Sequence, residues 1–365
     1  MSKTAIPVGV VLVLASSFAV VVETSGASPN EAKIPPLKLR ALPVPRTAVL
    51  RDPDWHIWGG SAIRGENGKY HLFYSRWPRE NKRRFGGWLF DSEIARAVAD
   101  RPLGPYKYVE TVLRGRGGDH WDAVTAHNPH IKRFNGRYYL YYLSTHDGND
   151  RATDQKDHQY SQRIGVAVAD HLEGPWRRFD KPLLEPQAGG AIHQYVTNPS
   201  ITQGRHGQYL MMFKGKPAQD PTGNALAHGV AFGKSPLGPF RIHSQPLLTE
   251  YYAEDAYVWY DRRRDRYFAL FKDRQGKYSH SEGGIAMITS VDGLSWHMAA
   301  NPLVSKRRIV WQDGTVQPLV HLERPQLLFD EQGRPSVLFA AAASSPPFKT
   351  NQPTFNVHIP LQCND

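Results

Sequence analysis

One pattern recurs five times in this 365-residue chain and restricts it to closed, repetitive β architectures. The copies are GGSAIRGENGKYHLFYSRW from Gly59, NPHIKRFNGRYYLYYLST from Asn128, NPSITQGRHGQYLMMFKG from Asn198, DAYVWYDRRRDRYFALFKD from Asp255 and RPQLLFDEQGRPSVLFAAA from Arg324. Each reads as a short apolar strand, a polar turn and a second strand rich in aromatic and β-branched residues, the signature of a hairpin. Four copies continue into a third strand: SEIARAVAD, QRIGVAVAD, AHGVAFGKS and GGIAMITS. The first three of these lead into GPY at Gly104, GPW at Gly174 and GPF at Gly238, and the fourth into DGLSW at Asp292. Starts 57 to 70 residues apart leave room for four strands in each copy.

A four-stranded sheet with one apolar face cannot bury that face alone. Five copies therefore predict an all-β, five-bladed β-propeller with four-stranded antiparallel blades. The last copy lacks the Gly-Pro turn and runs into TFNVHIPL at Thr354, so its outer strand is expected from the N-terminal TAVLRD at Thr47, closing the ring. A β-sandwich is the competing architecture, but sandwich strands do not repeat a turn tripeptide in phase.

No composition shift divides the chain, so residues 47–365 read as one propeller domain. Residues 1–27 carry one Lys and an apolar stretch from Ile6 to Val22, the pattern of a signal peptide cleaved after Ala27; an uncleaved N-terminal anchor is the other reading. The protein is then secreted or periplasmic, and residues 28–46 form an extended arm. Cys363 is the only cysteine, which excludes an intramolecular disulfide and a cysteine-type zinc site. No metal or other cofactor is expected, apart from room for a single structural ion on the propeller axis near His127.

The net charge of +11 admits nucleic acid, anionic lipid or acidic polysaccharide as partner. Export argues against nucleic acid, and nothing beyond the signal peptide addresses a membrane. The basic residues are scattered, with short runs at Lys82 to Arg84, Arg262 to Arg264 and Lys306 to Arg308, and read first as a solvated surface.

Strand direction alternates within a blade, so inner-strand starts, second-strand ends and third-strand starts gather on one face, the natural place for a site. Asn128, Asn198, Asp255 and Glu323 read as one structural position in blades two to five. Two unlike carboxyl groups there, Asp255 and Glu323, invite acid/base work, because like charges in a confined site push one pKa up. Each could instead cap a backbone or pair with Arg324 or Lys272. Asp122 is chosen as a third carboxylate over Glu93 and Asp54. Trp77 and Trp121 suit stacking on sugar rings. Arg76, Glu93, His127, Asn128, Asn198, Lys214, Lys272 and Arg324 are candidate contacts to hydroxyl, carboxylate or sulfate groups.

With EDAYVW at Glu254, LERPQLLF at Leu322 and the hairpin NGKYHLFYSRW, the chain from about Ala48 to Leu361 resembles the five-bladed β-propeller glycoside hydrolases, the group containing families 43, 62, 32 and 117. The resemblance implies an exo-acting, inverting hydrolase of plant or algal saccharides, with an anionic polysaccharide an attractive substrate. A non-catalytic carbohydrate-binding propeller is the alternative. The family-43 pattern has an Asp base on the first inner strand, an Asp that tunes pKa and a Glu acid; Asp255 would match the second and Glu323 the third. The chain departs from it at Gly59-Gly60-Ser61, where that pattern has its base, so either the base comes from elsewhere, such as Asp122, Glu93 or Asp54, or the mechanism differs. Family 117 is similar in fold with a His acid, which keeps His127 and His280 in play.

Overall fold

The computed structural model describes residues 34–146, 155–217, 226–248 and 253–364. The expected signal peptide lies outside the described residues. Within Pro35–Asp365, five antiparallel sheets form the blades of a β-propeller. Blade one is Trp55–Arg64, Tyr70–Pro78, Glu93–Ala99 and Lys107–Leu113, from inner to outer strand. Blade three follows the same order with Ile192–Gln203, Tyr209–Pro217, Ala227–Gly233 and Arg241–Ile242. Blade four is Ala253–Asp261, Arg266–Asp273, Gly284–Ser290 and His297–Ser305.

Among the described residues blade two falls short of the expected four strands, and blade five is closed by the N-terminal chain as expected, with one strand more. Blade two has three strands, His127–Phe134, Arg137–Ser144 and Arg163–Ala169, and its outer edge is reduced to the isolated bridges Ile164↔Leu184 and Val168↔Arg177. Blade five consists of His321–Phe329, Pro335–Ala343 and Phe355–Asn364, closed by two N-terminal strands. Val49–Leu50 pairs with Val357 and Asn356, and Lys38–Ala41 pairs with Leu361 to Asn364. The larger part of the ring closure thus falls in the segment expected to be a free arm.

Period-two alternation builds the core. In the second strand of blade two, Tyr138, Leu140 and Tyr142 pack toward blade one while Tyr139 and Tyr141 pack toward blade three. A strand buried on both faces reads as an unbroken apolar run, as YYLYYL does. The same division gives each of the five blade interfaces its own apolar cluster. Each large side chain buried there contributes about 1.5–3 kcal/mol.

Inner strands of neighbouring blades form no ladder with one another, yet their backbone donors are buried. Side chains satisfy them: Ser61 Oγ accepts from the Ile131 amide at 3.1 Å, and Ser200 Oγ from that of Val258 at 2.8 Å. His130 Nε2 accepts from the Ile201 amide at 3.1 Å, and His228 Nε2 from that of Ala256 at 3.3 Å. These imidazoles must stay neutral to accept. Burial holds both down to about 3, and His358 to about 4.

A folded-state pKa below the usual 6.5 or so means that the unfolded chain takes up protons first. Stability supplied by these histidines is complete above that value and is lost as pH falls towards about 3. Urea-unfolding midpoints should therefore drop steadily between pH 7 and pH 4; a midpoint constant over that range contradicts the burial of neutral imidazoles.

Candidate active site

Every inner strand carries a β-bulge at the same height. Pairing with the second strand slips at Trp58/Gly60, His127/His130, Thr197/Ser200, Glu254/Tyr257 and Glu323/Gln326. Inside each slip sits a residue with left-handed backbone: Gly59, Asn128, Asn198, Asp255 and Arg324, at φ of 35°, 51°, 57°, 61° and 54°. Gly adopts this conformation without strain and Asn or Asp tolerate it, whereas Arg324 must be held there by its surroundings.

The bulges set a register different from the one expected. Asp255 is equivalent to Arg324, and Glu323 is equivalent to Glu254, His127, Thr197 and Trp58, one residue earlier in each blade. The axial position thus runs Gly, Asn, Asn, Asp, Arg. Asn128 Nδ2 donates to Asn198 Oδ1 at 2.8 Å, and Asn198 Nδ2 donates to Asp255 Oδ1 at 2.5 Å. The same Asp255 oxygen accepts from Lys214 Nζ at 2.9 Å and faces Arg324 Nη1 at 3.9 Å. Gly59 closes the ring, and a Cβ there would stand 2.7 Å from Asn128 Oδ1 and 3.5 Å from Arg324 Nε.

Above this ring lies a cavity of about 350 Å³ with two chemically distinct walls. One is aromatic: Trp58, Trp77, Phe85 and Trp88, with Phe348 at 58% exposure. The other is ionic, from blades three, four and five. Lys214 lies between Asp255 and Glu254, the latter at 3.9 Å. Lys272 Nζ reaches Glu254 Oε2 at 3.3 Å and also donates to Glu323 Oε1. Glu323 Oε1 in turn accepts from His321 Nδ1 at 2.6 Å, and Arg274 approaches Glu254 at 3.5 Å from the more exposed side.

This pairing decides the protonation states. Burial pushes the Asp255 carboxyl up, but the Lys214 and Arg324 charges outweigh it and hold Asp255 well below the usual carboxylate range. Burial also raises Glu323, and the His321 hydrogen bond and Lys272 together bring it below its ordinary value. The expectation that crowding would raise one of these pKa values is therefore corrected: each carboxylate has its own cation. Across the cavity, burial and the Arg324 charge hold His127 down to about 3, so its ring is neutral. It bonds Ser92 Oγ through Nδ1 at 2.7 Å and stacks on Trp88 at 5.0 Å.

Of the residues singled out from sequence, Asp255, Glu323, Trp77, His127, Asn128, Asn198, Lys214 and Lys272 line this cavity, and Arg324 lies buried against Asp255. Asp122 does not join them. It is fully buried between Arg116 Nε at 2.5 Å and Arg178 Nη1 at 3.2 Å, and it accepts from Tyr142 OH at 2.8 Å, an anchor for the edge of blade two. Arg76 and Glu93 also lie outside the lining, paired with each other at 2.8 Å, with Arg76 held between the rings of Trp55 and Tyr108. Trp121 stacks on Tyr142 away from the site, and His280 is exposed and outside the lining. The axis near His127 holds the Arg324 guanidinium, and among the described residues no cluster could hold a metal ion.

Glu254 and His321 are the two members of the ionic wall nearest the candidate acids that sequence reasoning missed, along with lining residues such as Phe85, Tyr195 and Arg274. The first two had a signal: Glu254 adjoins Asp255, and His321 stands two residues before Glu323, which puts both side chains on one face of a strand.

No protein-family model matches the chain, and no curated protein matches it in sequence. Solved structures are similar in fold. Zg3597, a family 117 glycoside hydrolase of the marine bacterium Zobellia galactanivorans, shares 18% identity over 90% of each chain with a TM-score of 0.60. An α-L-arabinofuranosidase from Lactobacillus brevis shares 12% identity over 88% of this chain and 94% of its own, with a TM-score of 0.57. The GH43_1 enzyme of Xanthomonas citri complexed with xylose shares 17% over 86% and 89%, with a TM-score of 0.53.

Two substitutions test the anatomy. Gly59→Ala should cost about 1–3 kcal/mol, through its backbone and the contact with Asn128, read as a lower urea midpoint; an unchanged midpoint contradicts the closed ring. Asp122→Asn should cost up to about 3 kcal/mol by stranding two arginines, while saccharide affinity measured by calorimetry stays unchanged; a selective loss of affinity would return Asp122 to the site.

Proposed function

We propose that the protein is an exported glycoside hydrolase that removes residues from the ends of plant or algal oligo- or polysaccharide chains. The observation that carries this reading is the two-walled cavity. Aromatic rings suit the apolar CH faces of a sugar, and facing ionised carboxylates suit its hydroxyls and a positively charged transition state. The fold shared with glycoside hydrolases supports the same class. End-on action is supported by the axial ring, which closes the floor of the cavity beneath Asp255.

The proton donor in this reading is His321, oriented by Glu323. An imidazole fixed through Nδ1 by a carboxylate directs its other nitrogen away from that bond, and the ring lies 6.1 Å from that of Trp58 inside the cavity. Glu323, held below its ordinary pKa, acts as the orienting anion rather than as the acid. Glu254 is the reacting carboxylate, and Asp255 with Lys214 fixes the floor. Where the family-43 pattern has a base, blade one offers Trp58 and Gly59, so the chemistry is carried by blades four and five.

Stereochemistry follows from spacing. Lys272 reaches both Glu254 and Glu323, and Glu323 is bonded to His321, so the reacting carboxylate and the acid are held close together, which supports the direct attack of a retaining enzyme over the wider, water-holding gap of an inverting one. The inverting expectation relied on Asp122 as a distant base, and Asp122 is not in the cavity.

The test is turnover of a panel of aryl glycosides and algal and plant oligosaccharides. Glu254→Gln and His321→Asn should each lower kcat by about 10²–10⁴ while binding persists, and NMR should show the first product anomer with retained configuration. Full activity in both variants removes these assignments. Binding without turnover by the wild type, on every substrate, favours the carbohydrate-binding alternative, which the absence of an opposing carboxylate among the described lining residues supports.

A further inference from the structure

The inner strands end, opposite the cavity just described, in a second one of about 340 Å³. It receives the run Arg262 to Arg264, which the sequence left as solvated surface. Its cations are Lys132, Arg262, Arg263, Arg264 and Arg334, and Asp261 is the one carboxylate in the lining. That carboxylate is committed, since Asp261 Oδ2 accepts from Arg264 Nη1 at 2.7 Å.

Two of these cations are short of partners. Lys132 Nζ donates to Tyr257 OH at 3.0 Å and lies 5.0 Å and 6.0 Å from the ring centroids of Tyr257 and Phe329, with no carboxylate in reach among the described residues. Burial brings its ammonium down to about 8, the condition of a partly enclosed cation without an anion. The Arg264 side chain is 7% exposed; its Nε donates to Pro35 O at 3.0 Å, and its Nη2 is buried with no acceptor. An ammonium with no carboxylate in reach, as at Lys132, and a buried guanidinium N–H with no acceptor, as at Arg264 Nη2, are costly, and an anion bound beside them removes that cost.

We propose that this cavity is an oxyanion site, which takes the sulfate or carboxylate group of an anionic saccharide on the face opposite the candidate active site. Guanidinium groups match such oxyanions bidentately, and Lys132 supplies a point charge from below. Thr202 and Tyr260 add hydroxyl groups to the same lining. The inference does not depend on the hydrolase reading, since none of these residues lines the other cavity.

Cys363 lines the site and is the only cysteine of the chain, so its modification by uncharged N-ethylmaleimide reports occupancy without any activity assay. At constant ionic strength in chloride, added sulfate or galactose 6-sulfate should slow modification, and unsubstituted galactose should not. A lower half-protecting concentration for galactose 6-sulfate identifies a saccharide-borne group, and equal values identify the free ion. Lys132→Met and Arg262→Gln, the latter at an exposed position, should each raise that concentration about tenfold, equivalent to about 1.4 kcal/mol. Absence of protection by either anion, equal protection by galactose, or protection unchanged in both variants overturns the proposal.

Discussion

Inner strands that converge on an axis cannot continue their hydrogen-bonded ladders from blade to blade, and the rest of the molecule is organised around how that deficit is met. At the five bulges the answer is a ring of side chains, Asn128 to Asn198 to Asp255, with Arg324 beside the acid and Gly59 completing the circle. Asp255 is ionised because two cations face it, and from there charge alternates outward through Lys214, Glu254, Lys272 and Glu323, whose carboxylate also bonds His321. Such a chain is stable only when every member is compensated, so each residue constrains the next. The ionic wall of the cavity is an extension of the packing of the axis.

The two walls divide by blade. Blade one and the short helical segments Arg84–Leu89 and Pro347–Thr350 supply rings that pack edge to face, as Phe85 and Phe348 do at 4.8 Å. Blades four and five supply the carboxylates. In the family-43 pattern that the chain resembles, blade one carries an Asp. Here a Cβ at Gly59 would crowd Asn128 Oδ1 and sit on left-handed backbone, and Trp58 fills the position before it. Among the described lining residues the carboxylates are thereby confined to one side of the cavity.

Most of the architecture was legible because burial on both faces and period-two alternation leave a strong imprint on composition, and five imprints in phase leave little choice of fold. Closure by the N-terminal chain was legible from the incomplete fifth copy. The share of Lys38–Ala41 in it was not, since a four-residue edge strand carries almost no pattern. The site was read one residue out of register. The repeat copies align Asp255 with Arg324; taking the neighbouring carboxylate Glu323 in its place shifts the fifth position by one, since the counterpart of Glu323 at the bulge is Glu254. Asp122 misled for another reason: a loop carboxylate near an inner strand looks the same in sequence whether it faces solvent, substrate or two arginines.

The sequence by itself determined the number of blades, the strand order, the ring closure and the absence of a blade-one acid, because these follow from local pattern and residue identity. Tertiary structure alone decided which charges meet. Lys214, Lys272 and Arg324 come from different strands of blades three, four and five, and their convergence at the axis, with the His321 hydrogen bond to Glu323, keeps Asp255 and Glu323 ionised. Electrostatic state depends on distance in space, and the left-handed bulges that set those distances are a property of packed strands rather than of any segment read alone.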